Sequence, residues 1–236
     1  QMERADRLAS VGEMAAGIAH EIKNPLAGIS AAMTIIRQDF QEEDPRREII
    51  GEVIEQVNRL DKTVNDLLFF GKPTHPEPAP TDLNDVLRKT LLFALQHKGG
   101  KNIEKRLELQ EPLPLVLVDP KQVQQVVLNL ILNAIQAMQE TGGTLTVASR
   151  IAEREGGLWV RVEVADTGPG IPEPIISKIF TPFFTTKAQG TGLGLAICQK
   201  LITQHGGTLH VLSTPATGTV FSIDLPMTEV ETGGAA

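Results

Sequence analysis

The chain holds a single cysteine, Cys198, among 236 residues. That excludes an intramolecular disulfide and a cysteine-based zinc site, and it suits a reducing compartment. Cys198 itself reads as a small buried apolar residue. No run of lysine or arginine is present and the net charge is −7, which argues against nucleic acid and a charged membrane surface as main partners. No apolar run is long enough to span a bilayer, and no signal peptide is visible. What is present is an ordinary hydrophobic fraction, 41%, enough to build a core in one large domain or two small ones. A helical pattern is already under way at Gln1-Met2-Glu3-Arg4. The expectation is a piece of a longer protein, cytoplasmic in itself, with any sensor part or membrane anchor lying outside it.

From Arg4 to Phe40, apolar residues recur at Leu8, Val11, Ala15, Ile18, Ile22, Ile29, Met33, Ile36 and Phe40. The spacing alternates three and four, with Pro25 at the seam position between Ile22 and Ile29, where it is expected to kink the helix. Asp39 to Arg47 is polar, contains Pro45 and reads as a turn. A second stripe follows at Ile50, Val53, Val57, Leu60, Val64 and Leu67, ending at Phe70-Gly71. Two helices with such narrow stripes form an antiparallel hairpin that cannot cover both stripes alone. Two copies can, as a four-helix bundle, so a homodimer is expected; the competing arrangement is a hairpin packed on its own second domain. Pro73, Pro76, Pro78 and Pro80 then extend a stiff linker.

After the linker the periodicity changes. Leu83 to Gln96 is helical with Asp82 as a cap, and Asn102 to Leu109 alternates as a strand does. Asp119-Pro120 starts a helix that runs to about Met138. Strands are expected at Thr144–Ile151 and Leu158–Val164, a helix at Leu195–Gln204, and strands at Thr208–Leu212 and Thr219–Leu225. This is an α+β sandwich. The domain reading is 1–72 hairpin, 73–80 linker, 81–227 sandwich and 228–236 loose tail.

Five stretches carry chemistry. In Ala19-His20-Glu21-Ile22-Lys23-Asn24-Pro25, His20 lies two residues past the seam and projects toward solvent. A neutral imidazole carries a free lone pair, Glu21 can take the proton of the other ring nitrogen, and Asn24 is one turn on. By these residues alone, bystander and nucleophile weigh about equally. Asn129 and Asn133 sit one turn apart on an otherwise apolar helix. They are either interhelical hydrogen-bonding groups or neutral oxygen ligands for Mg²⁺ shared with phosphates. Asp166-Thr167-Gly168-Pro169-Gly170 ends a strand in an acid and a glycine turn, where a carboxylate can accept from an exocyclic amine. Gly190-Thr191-Gly192-Leu193-Gly194 opens a helix whose amides suit phosphate, or it is only a tight turn. Between them, Phe180-Thr181-Pro182-Phe183-Phe184-Thr185-Thr186-Lys187 is either a satellite hydrophobic cluster or a lid whose aromatics pack while Thr185, Thr186 and Lys187 reach the phosphates.

Taken together and in this order, these motifs resemble the two-component sensor histidine kinases over roughly residues 8–226. The resemblance implies a dimerisation and phosphotransfer hairpin followed by a Bergerat-type ATP-binding α/β sandwich. It makes His20 the phosphorylated residue and Glu21 its base. It gives Mg²⁺ to Asn133 and Asn129, and the adenine amino group to Asp166, with Gly168 and Gly170 shaping the base pocket. Phe180, Thr185 and Thr186 belong to the lid. Lys187 and the amides of Gly190, Thr191, Gly192, Leu193 and Gly194 hold the β- and γ-phosphates. Asn24 matches a position linked to dephosphorylating a response regulator, whose receiver domain is the implied partner. Two departures are informative. Asn129 stands where related ATPases carry a water-activating glutamate, which favours transfer over hydrolysis. Gln136 stands where many members of the family carry a basic residue, which shifts charge neutralisation to Lys187 and Mg²⁺. The alternatives are an ATP-hydrolysing conformational machine of the chaperone and topoisomerase class, an idle dimerising scaffold, and a protein acting mainly as a phosphatase.

Overall fold

The computed structural model describes residues 21–71, 75–97, 102–154, 157–187 and 190–227. The chain divides into two compact units, with the break between Thr74 and His75.

In the first unit, helix α1 is described over 21–38 and is unbroken through Pro25. Helix α2 spans Pro45–Gly71. The turn between them is shorter than the Asp39–Arg47 stretch read from the sequence, because Pro45 already belongs to the helix. Its fixed φ suits a first helical position, and the Asp44 carboxylate accepts the Arg46 backbone N–H at 2.9 Å. The Arg46 guanidinium also pairs with Asp44 and lies 4.4 Å from the Phe40 ring centroid. Lys23 Nζ donates to Asn65 Oδ1 at 2.8 Å, tying α1 to α2 in antiparallel register. Leu26, Ile50 and Val57 are buried, whereas Pro25, expected at the seam, is exposed. Leu26 faces the hairpin interior, and Pro25 stays on the exposed stripe with Ile22 and Ile29. The heptad stripe Ile22, Ile29 and Ile36 stays 41–43% exposed.

The second unit begins before the sequence reading placed it. Glu77 N–H donates to the Asp119 carboxylate at 3.0 Å, and Pro80 lies in strand β1 (Ala79–Thr81). β1 pairs antiparallel with β3 (Val116–Val118). Helix α3 (Leu83–His97) starts where Asp82 Oδ1 accepts the Asn84 and Asp85 amides. Strand β2 (Ile103–Leu109) precedes β3. Helix α4 (Pro120–Ala137) is capped by Asp119, whose carboxylate accepts from the Lys121 and Gln122 amides. Then come β4 (Gly143–Arg154), β5 (Gly157–Asp166), the short α5 (Glu173–Ile176), α6 (Gly194–Gln204), β6 (Thr208–Thr214) and β7 (Gly218–Pro226).

Five strands form one sheet in the order β2-β4-β5-β7-β6. β2 runs parallel to β4, and the other pairs are antiparallel. Helix α4 lies against β5 with α3 and α6 beside it, and α6 lies against β6. Val123, Val126, Val127, Leu130 and Ile131 of α4 meet this core together with Val160, Val162 and Val164 of β5. Full burial of each such side chain stabilises by about 1.5–3 kcal/mol. His205, at the end of α6, accepts the Asp119 N–H at Nε2, 3.0 Å. Its Nδ1 therefore carries the proton and donates to the Leu201 carbonyl at 2.8 Å. That imidazole fixes the end of α6 to the start of α4. On the other face of the sheet, Asp224 is fully buried between Arg161, directly opposite it on β5, and Arg154.

Candidate active site

Strand β5 turns its even-numbered residues inward: Val160, Val162 and Val164 are buried, and Asp166 is the next position of that stripe. A carboxylate thus occupies an apolar-face position at the strand's end. Burial pushes its pKa above the usual carboxylate value, and hydrogen bonds from the Gly168 and Thr219 amides partly offset this. The Gly168 N–H donates to Oδ1 at 2.9 Å. Thr167, which the sequence reading passed over, steadies the strand end. Its Oγ1 accepts the Thr144 N–H at 2.9 Å, and its own N–H donates to the Thr144 carbonyl. Gly170 follows in the same turn, which is stitched to the β6–β7 connection by the Ala216 N–H donating to the Pro169 carbonyl at 2.8 Å.

Asn129 and Asn133 lie half-buried on the flank of α4, beside its buried stripe. Asn129 Nδ2 donates to Cys198 Sγ on α6 at 3.1 Å, while the Cys198 thiol faces the Val126 carbonyl at 3.9 Å. Cys198 is buried, as its residue type implies, yet it also orients an amide of the site. Gly194, the first residue of α6, passes so close that a Cβ there would sit 2.8 Å from Asn129 Nδ2 and 3.1 Å from Oδ1. The absent side chain is what lets the start of α6 meet α4 at Asn129.

The start of α6 differs from the start of α4. Its N-cap residue is Leu193, which makes no side-chain capping bond, so its first-turn amides have no carboxylate cap like Asp119. Such a terminus favours an anion. Gly192 has φ +68, and a Cβ there would overlap the Phe183 backbone. The two segments join at that point, since the Phe183 N–H donates to the Gly192 carbonyl at 3.0 Å. The aromatic packing read from the sequence is only partial: Phe180 and Phe184 are half-buried, but Phe183, with φ 66, is 61% exposed. Its backbone bond to Gly192 fixes the turn and directs the ring outward. Thr185 and Thr186 are exposed. Thr185 Oγ1 accepts the Lys187 N–H at 3.1 Å, the Lys187 carbonyl accepts the Gly190 N–H, and Thr191 Oγ1 accepts the Leu193 N–H at 3.3 Å. The folded loop delivers Lys187 to α4, where Nζ donates to Asn133 Oδ1 at 2.9 Å and to Gln136 Oε1 at 2.8 Å.

One unit therefore gathers a buried acid, two amide side chains, an ammonium and an uncapped helix start. These are groups that can recognise an amine-bearing base and a polyphosphate. On the other unit, Glu21 and Asn24 are exposed on α1, and His20 lies outside the described residues. Sequence reasoning missed Cys198 as a partner of Asn129, although it stands one turn after Gly194 on α6. It noted Gln136 only as a departure, although Gln136 is three residues past Asn133 and so on the same face of the helix.

Comparison with known proteins agrees with this geometry. The family model described as Histidine kinase-, DNA gyrase B-, and HSP90-like ATPase matches residues 118–229, and the one described as His Kinase A (phospho-acceptor) domain matches residues 10–76. Sensor histidine kinase ZraS of Escherichia coli (strain K12) is 37% identical over 227 residues, covering 96% of this chain and 48% of ZraS. Among solved structures, full-length ShkA in complex with AMPPNP aligns with a TM-score of 0.74 at 29% identity, over 92% of this chain and 46% of that one. Histidine kinase ThkA in complex with response regulator protein TrrA aligns with a TM-score of 0.70 at 32% identity, over 96% of this chain and 65% of that one. The chain spans about half the length of the curated relatives it matches.

Proposed function

The chain belongs to the two-component sensor histidine kinases, and from that premise we propose that its second unit binds ATP and phosphorylates His20 on the first. In the proposed step a lone pair of the His20 imidazole attacks the γ-phosphorus. A nitrogen–phosphorus bond forms, the bond from phosphorus to the β,γ-bridging oxygen breaks, and ADP leaves. Glu21, the adjacent residue, takes the proton from the other ring nitrogen. The phosphoryl group then passes to an aspartate of a response regulator receiver domain. Asn24, exposed on α1, supports a reverse role, orienting water against the phosphorylated regulator.

The observation that carries this reading is the meeting of distant segments at α4. Gly194 abuts Asn129 and Lys187 reaches Asn133 across 54 residues of sequence. Asp166 ends the strand packed on the same helix. Asp166 accepts from the adenine amino group, and the Gly190–Gly194 amides and Lys187 take the phosphates. Since phosphoryl transfer is mostly positioning and charge neutralisation, these groups supply what it needs.

The donors also fit Mg²⁺. Among the described residues no group of three or more His, Cys, Asp or Glu side chains is placed to hold a metal ion. The site offers the neutral amide oxygens of Asn129 and Asn133 instead, half-buried on α4. Such ligands suit a hydrated magnesium ion shared with phosphates. Asn129 and Asn133 would hold the ion, which supplies charge neutralisation at the β- and γ-phosphates. The hydrolytic alternative gains nothing from the geometry, because Asn129 cannot activate water as a carboxylate does. The exposed stripe Ile22, Ile29 and Ile36 supports a homodimer built as a four-helix bundle.

The test is incubation with Mg²⁺ and γ-labelled ATP, comparing wild type with His20→Gln. Label that survives base, is lost in acid and is absent from His20→Gln is the expected result. Steady phosphate release, equal in both proteins, would instead establish the ATPase.

A further inference from the structure

We infer that Gln136 is a positioning residue, which holds the Lys187 ammonium at the phosphate end of the nucleotide site without neutralising it. The inference rests on the nucleotide reading above and deepens it.

Asn133 and Gln136 are three residues apart on α4, so their side chains leave the same face. Both oxygens converge on Lys187 Nζ, at 2.9 and 2.8 Å. The lysine is delivered there by its own loop: Thr185 Oγ1 accepts its N–H, and the Gly190 N–H is donated to its carbonyl. A lysine stem has four rotatable bonds, and an ammonium on such a stem samples many positions unless its donors are engaged. Two acceptors on a rigid helix remove that freedom before a ligand arrives.

The chemical character of the acceptors matters as much as their position. Both oxygens that α4 presents are neutral amides. They orient the ammonium through dipoles and do not themselves neutralise it. A carboxylate at 136 would hold the lysine more firmly and spend that charge within the protein. A cation at 136 would repel it. Glutamine is thus matched to the lysine that the second segment brings in.

The consequence is a selective one. Gln136 governs affinity for the outer phosphates through Lys187 and has no part in reading the base. The experiment is calorimetric titration of the full chain, with Mg²⁺, using the β,γ-imido analogue of ATP and, separately, AMP carried into the millimolar range. Gln136→Ala is expected to weaken the triphosphate roughly three- to tenfold and to leave AMP within about twofold. Gln136→Glu is expected to weaken the triphosphate further than Gln136→Ala does. In a Lys187→Ala background, Gln136→Ala should have no additional effect.

Three outcomes overturn the inference: a Gln136→Glu protein that binds the triphosphate as tightly as wild type, additive losses in the Lys187→Ala background, or an equal loss of AMP and triphosphate. Absence of binding of either nucleotide to the wild-type chain is a different failure. It overturns the nucleotide reading, and this inference with it.

Discussion

Asp166→Asn should separate function from stability. The carboxylate occupies an inward position on β5 and is 8% exposed, with Oδ1 accepting the Gly168 N–H at 2.9 Å. In the asparagine variant the Gly168 and Thr219 amides still require an acceptor, so the side-chain oxygen turns to them. The Nδ2 group is then left facing the adenine amino group, donor against donor. A hydrogen bond to a charged acceptor contributes about 1.5–3 kcal/mol, and replacing it with a donor clash places the loss at the upper end. ATP affinity should fall about a hundredfold. Stability should not fall. Burial raises the Asp166 pKa above the usual 3.8, so the folded chain holds this proton to higher pH than the unfolded chain does. The stability this group contributes is greatest below the unfolded value and is lost as pH rises through the raised folded value. Asparagine carries no such penalty. Calorimetric titration and thermal melts near neutral pH should therefore give a variant that binds ATP poorly and melts at or above the wild-type temperature. The gap in Tm should close as pH falls toward the carboxylate range. A variant that loses several degrees together with its binding would make Asp166 a structural residue, and one that keeps its ATP affinity would remove it from base recognition.

Three further perturbations test other parts of the structure. Gly192→Ala places a Cβ at φ +68 against the Phe183 backbone. The strain of about 1–2 kcal/mol falls on the half-buried turn where this loop meets Phe183, so ATP affinity should drop roughly tenfold while the urea midpoint falls by no more than that strain accounts for. A large stability loss would place that turn in the core instead. Asp224→Ala leaves Arg154 and Arg161, 29% and 25% exposed, without the fully buried carboxylate between them. Urea unfolding should show a loss of about 3 kcal/mol, and a loss below about 1 kcal/mol would mean that water serves those guanidinium groups equally well. Ile29→Glu sets a charge in the 43% exposed member of the heptad stripe. Light scattering should then report a monomer, and an intact dimer would move the interface off that stripe.

What could be read from the linear chain, and what could not, follows from the range of the interactions. Local chemistry was legible. Asp119-Pro120 marks the start of α4 because an acceptor followed by proline satisfies a helix terminus within four residues, and the structure caps the helix in that way. Asp166 follows from period two, since three inward valines lead to it. The motif order from Asn129 to Gly194 placed the amides on α4, the acid at the end of β5 and the glycines at the start of α6. The β1–β3 ribbon was not legible, because three residues per strand carry no periodicity. Nor was the burial of Leu26 within the hairpin, because a heptad pattern does not say which of two adjacent positions the hairpin interior takes. The partners of the site residues were beyond reach for the same reason. Cys198 against Asn129, and Lys187 against Asn133 and Gln136, are separated by 69, 54 and 51 residues. The sequence determined which residues could carry the chemistry, through short-range rules of helix, strand and cap. Only the packing of α6 and its preceding loop on α4 decided which of those residues touch, because contacts between distant segments depend on the whole fold.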